Sequence, residues 1–108
     1  MIRTLFFAGL AAGVVAVITP AAAAPQVQRL VWSYQGGAFK YEENGNWVEE
    51  NGDGKFKFKE VTRTEDYIEM RDASRDCTVR LYNTAMWMKG NYGRYPDFTK
   101  YYNGKWTK

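Results

Sequence analysis

The 108-residue sequence contains no histidine and only one cysteine. Without histidine the chain cannot form a Ser-His-Asp or Cys-His catalytic centre, and the common histidine-containing zinc sites are excluded as well. A single cysteine, Cys77, excludes an internal disulfide, so the hydrophobic core alone must hold the fold. Cys77 lies among apolar residues of a predicted strand, and we expect it to be a buried thiol. An intermolecular disulfide is the alternative.

An apolar run long enough to span a bilayer is also missing. The run from Leu5 to Ile18 falls short of the roughly 20 residues that a spanning helix needs. Arg3 precedes it and small residues, Ala21 to Ala24, follow it, which is typical of a secretory signal peptide. The sequence therefore predicts a signal peptide over residues 1–23, a flexible lead-in over 24–29 and one domain over 30–108. We expect a secreted or periplasmic protein without a permanent membrane anchor.

Charge of one sign is not concentrated anywhere in the chain. Fifteen Lys and Arg are interspersed with 12 Asp and Glu, so the basic stripe that is typical of nucleic-acid binding is missing. Aromatic residues, by contrast, are abundant at 17%. Each buried aromatic side chain removes roughly 150–250 Å² from water, which compensates for the small size of the domain.

Turn signals recur after residue 29 with no helical period between them, which predicts an all-β meander. Asn44-Gly45 and Asn103-Gly104 are the strongest hairpin signals, because both central residues of a type I′ turn need positive φ. The alternation over Lys55–Lys59 directs Phe56 and Phe58 to the core and the lysines to water. The predicted strands cover residues 30–34, 38–43, 46–50, 55–61, 65–71, 77–82, 85–89 and 98–102, with a short last segment around Trp106.

Turns at Ala73-Ser74 and at Asn83-Thr84 would fix the pairing of three central strands. Ile68 would then lie opposite Val79 and Val79 opposite Met88, while Met70 would meet Cys77 and Leu81 would meet Met86. These apolar residues share one face, which is therefore the core face. The same register places three residues in a row across the outer face: Tyr67, Arg80 and Trp87.

The register of the first hairpin is open at this point. A two-residue turn at Asn44-Gly45 would pair Tyr41 with Val48 and leave Trp47 and Glu49 on the opposite face. We favour a buried Trp47.

Three acids and three arginines occupy strand and turn positions in balanced numbers: Glu49, Glu60, Arg63, Asp72, Arg75 and Arg80. Asp72 and Arg75 bracket a short turn, where the Asp can accept backbone N–H groups and the Arg can fold back onto it. Structural pairing is the favoured interpretation and an anion-binding cluster is the alternative. A two-carboxylate hydrolase is disfavoured, because so small a meander leaves little room for a cleft.

These same residues carry a resemblance. The pattern Trp47-x-Glu49, Phe56-x-Phe58-x-Glu60-x-x-Arg63, Asp72-x-Ser74-Arg75 and Arg80-Leu81 resembles a small module of uncharacterised exported bacterial all-β proteins. No activity is known for that module. The resemblance implies an exported β domain and no catalytic residue.

The sequence as a whole predicts an antiparallel meander of seven or eight strands that closes, or nearly closes, into a small barrel. A β-sandwich is the alternative. We expect a monomeric, non-enzymatic binding domain without cofactor, metal or nucleic-acid partner, which binds an envelope polysaccharide through Tyr67, Arg80 and Trp87. The alternative is an inhibitor or structural partner of another envelope protein, and a small carboxylate-based hydrolase ranks below both.

Overall fold

Eight strands follow one another in chain order, each antiparallel to the next, and the last pairs with the first to close a barrel. The computed structural model describes residues 28–108, so the predicted signal peptide (1–23) and residues 24–27 lie outside the described residues. The strands are β1 (Val31–Tyr34), β2 (Gly37–Tyr41), β3 (Asn46–Asn51), β4 (Gly54–Arg63), β5 (Tyr67–Asp72), β6 (Cys77–Tyr82), β7 (Ala85–Gly90) and β8 (Tyr95–Trp106).

The all-β class and the small meander barrel predicted from the sequence are confirmed, with eight strands. One short 3-10 turn, Ala73–Arg75, interrupts the series between β5 and β6. Within residues 28–108 there is no helix of the length and apolarity that a membrane crossing requires.

Alternation along the strands places one set of side chains inside the barrel. Trp32, Phe39 and Trp47 are fully buried there, which confirms the preferred interpretation of Trp47. The rest of the core consists of apolar residues from β4 to β7: Phe58, Ile68, Met70, Cys77, Val79, Leu81, Met86 and Met88. The predicted core face of β5, β6 and β7 is therefore confirmed.

The first hairpin has a three-residue loop, Glu43-Asn44-Gly45, which is one residue longer than a two-residue turn. The Glu42 amide donates to the Asn46 carbonyl and the Asn46 amide to the Glu43 carbonyl, and both Asn44 and Gly45 have positive φ. Tyr41 consequently pairs with Trp47 and not with Val48. Tyr41 and Trp47 therefore share the interior face, with ring centroids 5.4 Å apart.

The register predicted between β5 and β6 is wrong by two residues. Ile68 pairs with Leu81, Met70 with Val79 and Asp72 with Cys77. The connection is a capped 3-10 turn followed by Asp76 in the left-handed region, and it is longer than the turn assumed from Ala73-Ser74. A slip of two residues leaves every side chain on its predicted face.

The second predicted hairpin turn, at Asn103-Gly104, is also wrong, because both residues lie within the long strand β8. The end of β8 pairs with β1, with Gly104 opposite Tyr34. A Cβ on Gly104 would lie 2.4 Å from the Ser33 carbonyl oxygen and 2.5 Å from the Trp32 ring. Gly104 therefore serves the close approach of two strands, not a turn.

Candidate binding face

The outer surface of β5 to β8 carries all three residues predicted to bind ligand. Tyr67, Arg80 and Trp87 are each half-buried, on the opposite face from the core residues of the same strands. Arg80 lies opposite Trp87, as predicted. Tyr67 pairs with Tyr82, and Arg80 pairs with Glu69, so the predicted pairing of Tyr67 with Arg80 is wrong. Tyr67 still reaches Arg80 diagonally, with the Arg80 Cζ 4.6 Å from the centre of its ring.

Arg80 is held between two aromatic rings, and the second ring belongs to Phe98. The Arg80 Cζ lies 4.1 Å from the centre of the Phe98 ring, and its Nε donates a 2.8 Å hydrogen bond to Glu69 Oε1. Burial is the largest single influence on the pKa of Arg80 and lowers it, but the hydrogen bonds to Glu69 and Tyr82, together with the nearby Tyr67 and Glu69, raise the pKa overall. Arg80 is therefore a fixed positive charge in the middle of this face.

Strand alternation does not place Phe98 at this site, because the position of its ring depends on an irregularity of β8. Met88 pairs with Thr99 and Gly90 with Tyr95, so three residues of β8 lie opposite one residue of β7. Extra residues bend a strand away from the regular ladder. The bend brings Phe98 over Arg80 and also over Lys89, whose Nζ is 5.7 Å from the ring centre.

Phe98 lines two shallow grooves on this face. The first, here called the Trp87 groove, has a volume of about 600 Å³ and is lined by Tyr82, Thr84, Ala85, Trp87, Phe98 and Lys100. The second, here called the Lys89 groove, has a volume of about 440 Å³, and its lining includes Arg71, Thr78, Arg80, Lys89, Tyr95 and Phe98. The predicted site is thus an aromatic and basic surface with two grooves, both of which are lined by Phe98.

A second polar group, separate from this face, lies inside the barrel at the end formed by the 3-10 turn. Glu49 is only 4% exposed and accepts a hydrogen bond from the Tyr34 hydroxyl and another from the Asn51 amide. Burial raises the pKa of Glu49 more than these hydrogen bonds and the charge of Arg75 lower it. The raised pKa is a property of many catalytic acids. At 4% exposure, however, Glu49 offers a substrate no surface to approach.

Asp72 and Arg75 form the ion pair predicted from their spacing. Arg75 Nε donates to Asp72 Oδ2 at 2.7 Å, and its guanidinium lies over the Phe56 ring at 4.4 Å. Asp72 also accepts from the Ser74 amide and hydroxyl. Burial alone would raise the pKa of Asp72, but the hydrogen bonds from Ser74 and Arg75 lower it overall. The Nη2 atom of Arg75 is buried and has no hydrogen-bond partner among the described residues.

At the other end of the barrel, Glu60 joins Trp47 to Arg63. Glu60 Oε1 accepts from the Trp47 indole N–H at 2.9 Å and from Arg63 Nη2 at 3.0 Å. Two of the three arginines of the balanced polar set therefore pair within it, whereas Arg80 pairs with Glu69. Most of the residues in the pattern Trp47-x-Glu49, Phe56 to Arg63 and Asp72 to Arg75 therefore have structural contacts at the two ends of the barrel.

Cys77 is fully buried, as expected, and burial raises the pKa of its thiol to about 11.

Residues 28–108 contain no group of three His, Cys, Asp or Glu side chains arranged to hold a metal ion. Comparison with protein-family models, with curated proteins and with solved structures gave no match.

Proposed function

We propose that the chain is an exported, non-enzymatic binding domain whose ligand is a polysaccharide of the cell envelope. The observation that carries the proposal is the cross-strand row Arg80, Trp87 and Lys100, in which an outward-facing indole lies between two cations beside an open groove. The flat faces of sugar rings carry C–H groups that pack on an aromatic ring, and their hydroxyls bond to neighbouring charged groups.

The carboxylates of the described residues favour binding over catalysis. Those lining the grooves, Glu69 and Asp76, are held in ion pairs with Arg80 and Arg71. Glu49 has the raised pKa of a general acid but is enclosed in the barrel. A glycosidase needs two carboxyl groups flanking a bound sugar, about 5–10 Å apart. Glu69 and Asp76 are already ion-paired and Glu49 is enclosed, so none of these three carboxyl groups is free to act on a bound sugar.

Trp87→Ala tests the proposal directly. Retention of the protein on immobilised envelope polysaccharide should weaken by about 1–3 kcal/mol, by analogy with the stacking of bases on aromatic side chains. Stability should fall by no more than about 2 kcal/mol, because Trp87 is only half-buried on the outer face and complete burial of a large apolar side chain contributes about 1.5–3 kcal/mol. Affinity electrophoresis measures the first quantity and urea unfolding the second.

Tyr92→Ala is the matched control, because Tyr92 is 76% exposed in the turn after β7 and lines neither groove. It should leave retention unchanged. If Trp87→Ala also leaves retention unchanged while the protein stays folded, the polysaccharide proposal fails. A protein partner of the cell envelope would then be the leading candidate for this face.

A further inference from the structure

The charges of the binding face do not cancel. The side chains that line the two grooves include four cations, Arg71, Arg80, Lys89 and Lys100, but only two carboxylates, Glu69 and Asp76. Both carboxylates are already committed, to Arg80 at 2.8 Å and to Arg71. Neither Lys89 nor Lys100 forms an ion pair with any described residue.

The two unpaired lysines lie in different grooves, and Phe98 lines both. Lys100 lies opposite Trp87 in the β7–β8 ladder and lines the Trp87 groove. Lys89 lies opposite Thr78, lines the Lys89 groove and approaches the Phe98 ring. A chain that crosses Phe98 from one groove to the other therefore meets one free ammonium group in each groove.

We propose that the polysaccharide bound on this face is acidic, a polymer of uronic acids or other carboxylated sugars, and that Lys89 and Lys100 bind its carboxylates. The inference rests on the proposed function. Trp87 supplies a stacking surface to any sugar, whereas the two lysines distinguish a charged sugar from a neutral one. Lys40 and Lys55, by contrast, both pair with Glu50. Lys57 forms no ion pair with a described residue, but it lines neither groove.

The test compares binding of polygalacturonate, a uronic acid polymer, with binding of dextran, a neutral one. The wild-type protein should prefer polygalacturonate, and that preference should shrink as salt is raised, because salt screens exposed charges. The double variant Lys89→Gln/Lys100→Gln should bind polygalacturonate about tenfold more weakly, the size expected when charge-assisted hydrogen bonds at an exposed site are lost. Its binding to dextran should not change.

Lys57→Gln is the charge-matched control for the single variants Lys89→Gln and Lys100→Gln, since each removes one positive charge. Lys57 is exposed on the outer face of β4 and forms no ion pair with a described residue, so it has the same charge and lies outside both grooves. Inorganic polyphosphate is the second control, because it carries negative charge and no sugar ring. Its binding should be weak and should not respond to Trp87→Ala.

The outcomes separate the two proposals. If both polymers bind equally and the lysine variants have no effect while Trp87→Ala still weakens binding, the acidic-sugar inference fails and the proposed function stands. If Lys57→Gln weakens binding as much as Lys89→Gln or Lys100→Gln, or polyphosphate binds as well as polygalacturonate, the interaction is general polyanion attraction and the inference fails. If neither polysaccharide binds, the proposed function and the inference fail together.

Discussion

Glu49 and Asp72 are both buried acids of the barrel interior, yet their surroundings shift their pKa values in opposite directions. Burial is the largest influence on the pKa of Glu49 and raises it. Asp72 is partly desolvated too, but Ser74 and Arg75 donate hydrogen bonds to it, and its pKa is lowered. An acid whose pKa is raised by folding stabilises the folded protein at low pH, and this contribution is lost as the pH rises through the raised pKa. An acid whose pKa is lowered by folding stabilises the folded protein at higher pH, and this contribution is lost as the pH falls through the lowered pKa.

The two amide substitutions should therefore have opposite effects at neutral pH. Glu49→Gln removes a charge that burial disfavours and keeps an oxygen for the Tyr34 hydroxyl, so stability at pH 7 should rise by about 1 kcal/mol. Asp72→Asn removes the charge that binds Arg75 and should lower stability at pH 7 by about 1–3 kcal/mol. Both differences should shrink towards pH 3. Urea unfolding across this range measures them, and a loss at Glu49→Gln as large as at Asp72→Asn would show that Arg75 depends on ionised Glu49.

At the scale of single elements, two turns at one end of the barrel are built against each other. Asp76 ends the 3-10 turn in the left-handed region, and its carbonyl accepts the Asn91 amide at 2.8 Å. Gly90 has φ +91°, and a Cβ there would lie 2.0 Å from the Asp76 carbonyl oxygen. Gly93 also has positive φ, +76°, but a Cβ there would meet nothing within 4 Å.

Alanine at these two glycines separates backbone conformation from close packing. Gly93→Ala should cost about 1–2 kcal/mol, the penalty for a left-handed residue with a side chain. Gly90→Ala should cost at least about 1–3 kcal/mol more, because the turns must move apart as well. Thermal unfolding of both variants measures the difference. Equal losses would mean that the two turns separate freely.

The parts of the fold that follow from alternation could be predicted, and those that depend on irregular strands could not. The core positions of β5 to β7 depend only on parity, which a two-residue slip preserves. The bulge at Val61 breaks parity: Glu60 pairs with Met70 and Thr62 with Glu69, so Arg63 points to the same side as Glu60. In a regular strand residues three apart point to opposite faces. The Glu60-x-x-Arg63 spacing was the available signal for this bulge.

The same distinction between regular and irregular strands decides which residues of the candidate site could be predicted. Arg80 and Trp87 could be placed on the outer face because β6 and β7 are regular there. Phe98 could not, because the irregular stretch of β8 decides where its ring lies. Glu49 has the interior position of an apolar residue, opposite Phe39 and Phe56, and only the tertiary fold supplies its partner Tyr34.

At the scale of the whole molecule, the barrel depends on one seam that joins its two ends in sequence. Strand β1 pairs with the end of β8 through Trp32 with Trp106, Ser33 with Lys105 and Tyr34 with Gly104. Closure removes the two free edges that an open sheet of this length would expose. If the barrel opens as one unit, a substitution that destabilises this seam must also increase how often Cys77 becomes exposed. Cys77 lies on β6 and is fully buried.

Gly104→Ala tests that cooperativity. The added methyl would clash with the Ser33 carbonyl and the Trp32 ring, which should cost about 1–3 kcal/mol. If labelling of Cys77 requires the barrel to open, its rate with a thiol reagent should rise by about 5- to 150-fold, since each 1.4 kcal/mol is tenfold. Gly52→Ala, where a Cβ meets nothing within 4 Å, should leave the rate close to that of the wild type. A destabilised Gly104→Ala protein whose Cys77 still labels at the wild-type rate would show that the seam opens independently of the β5–β7 core.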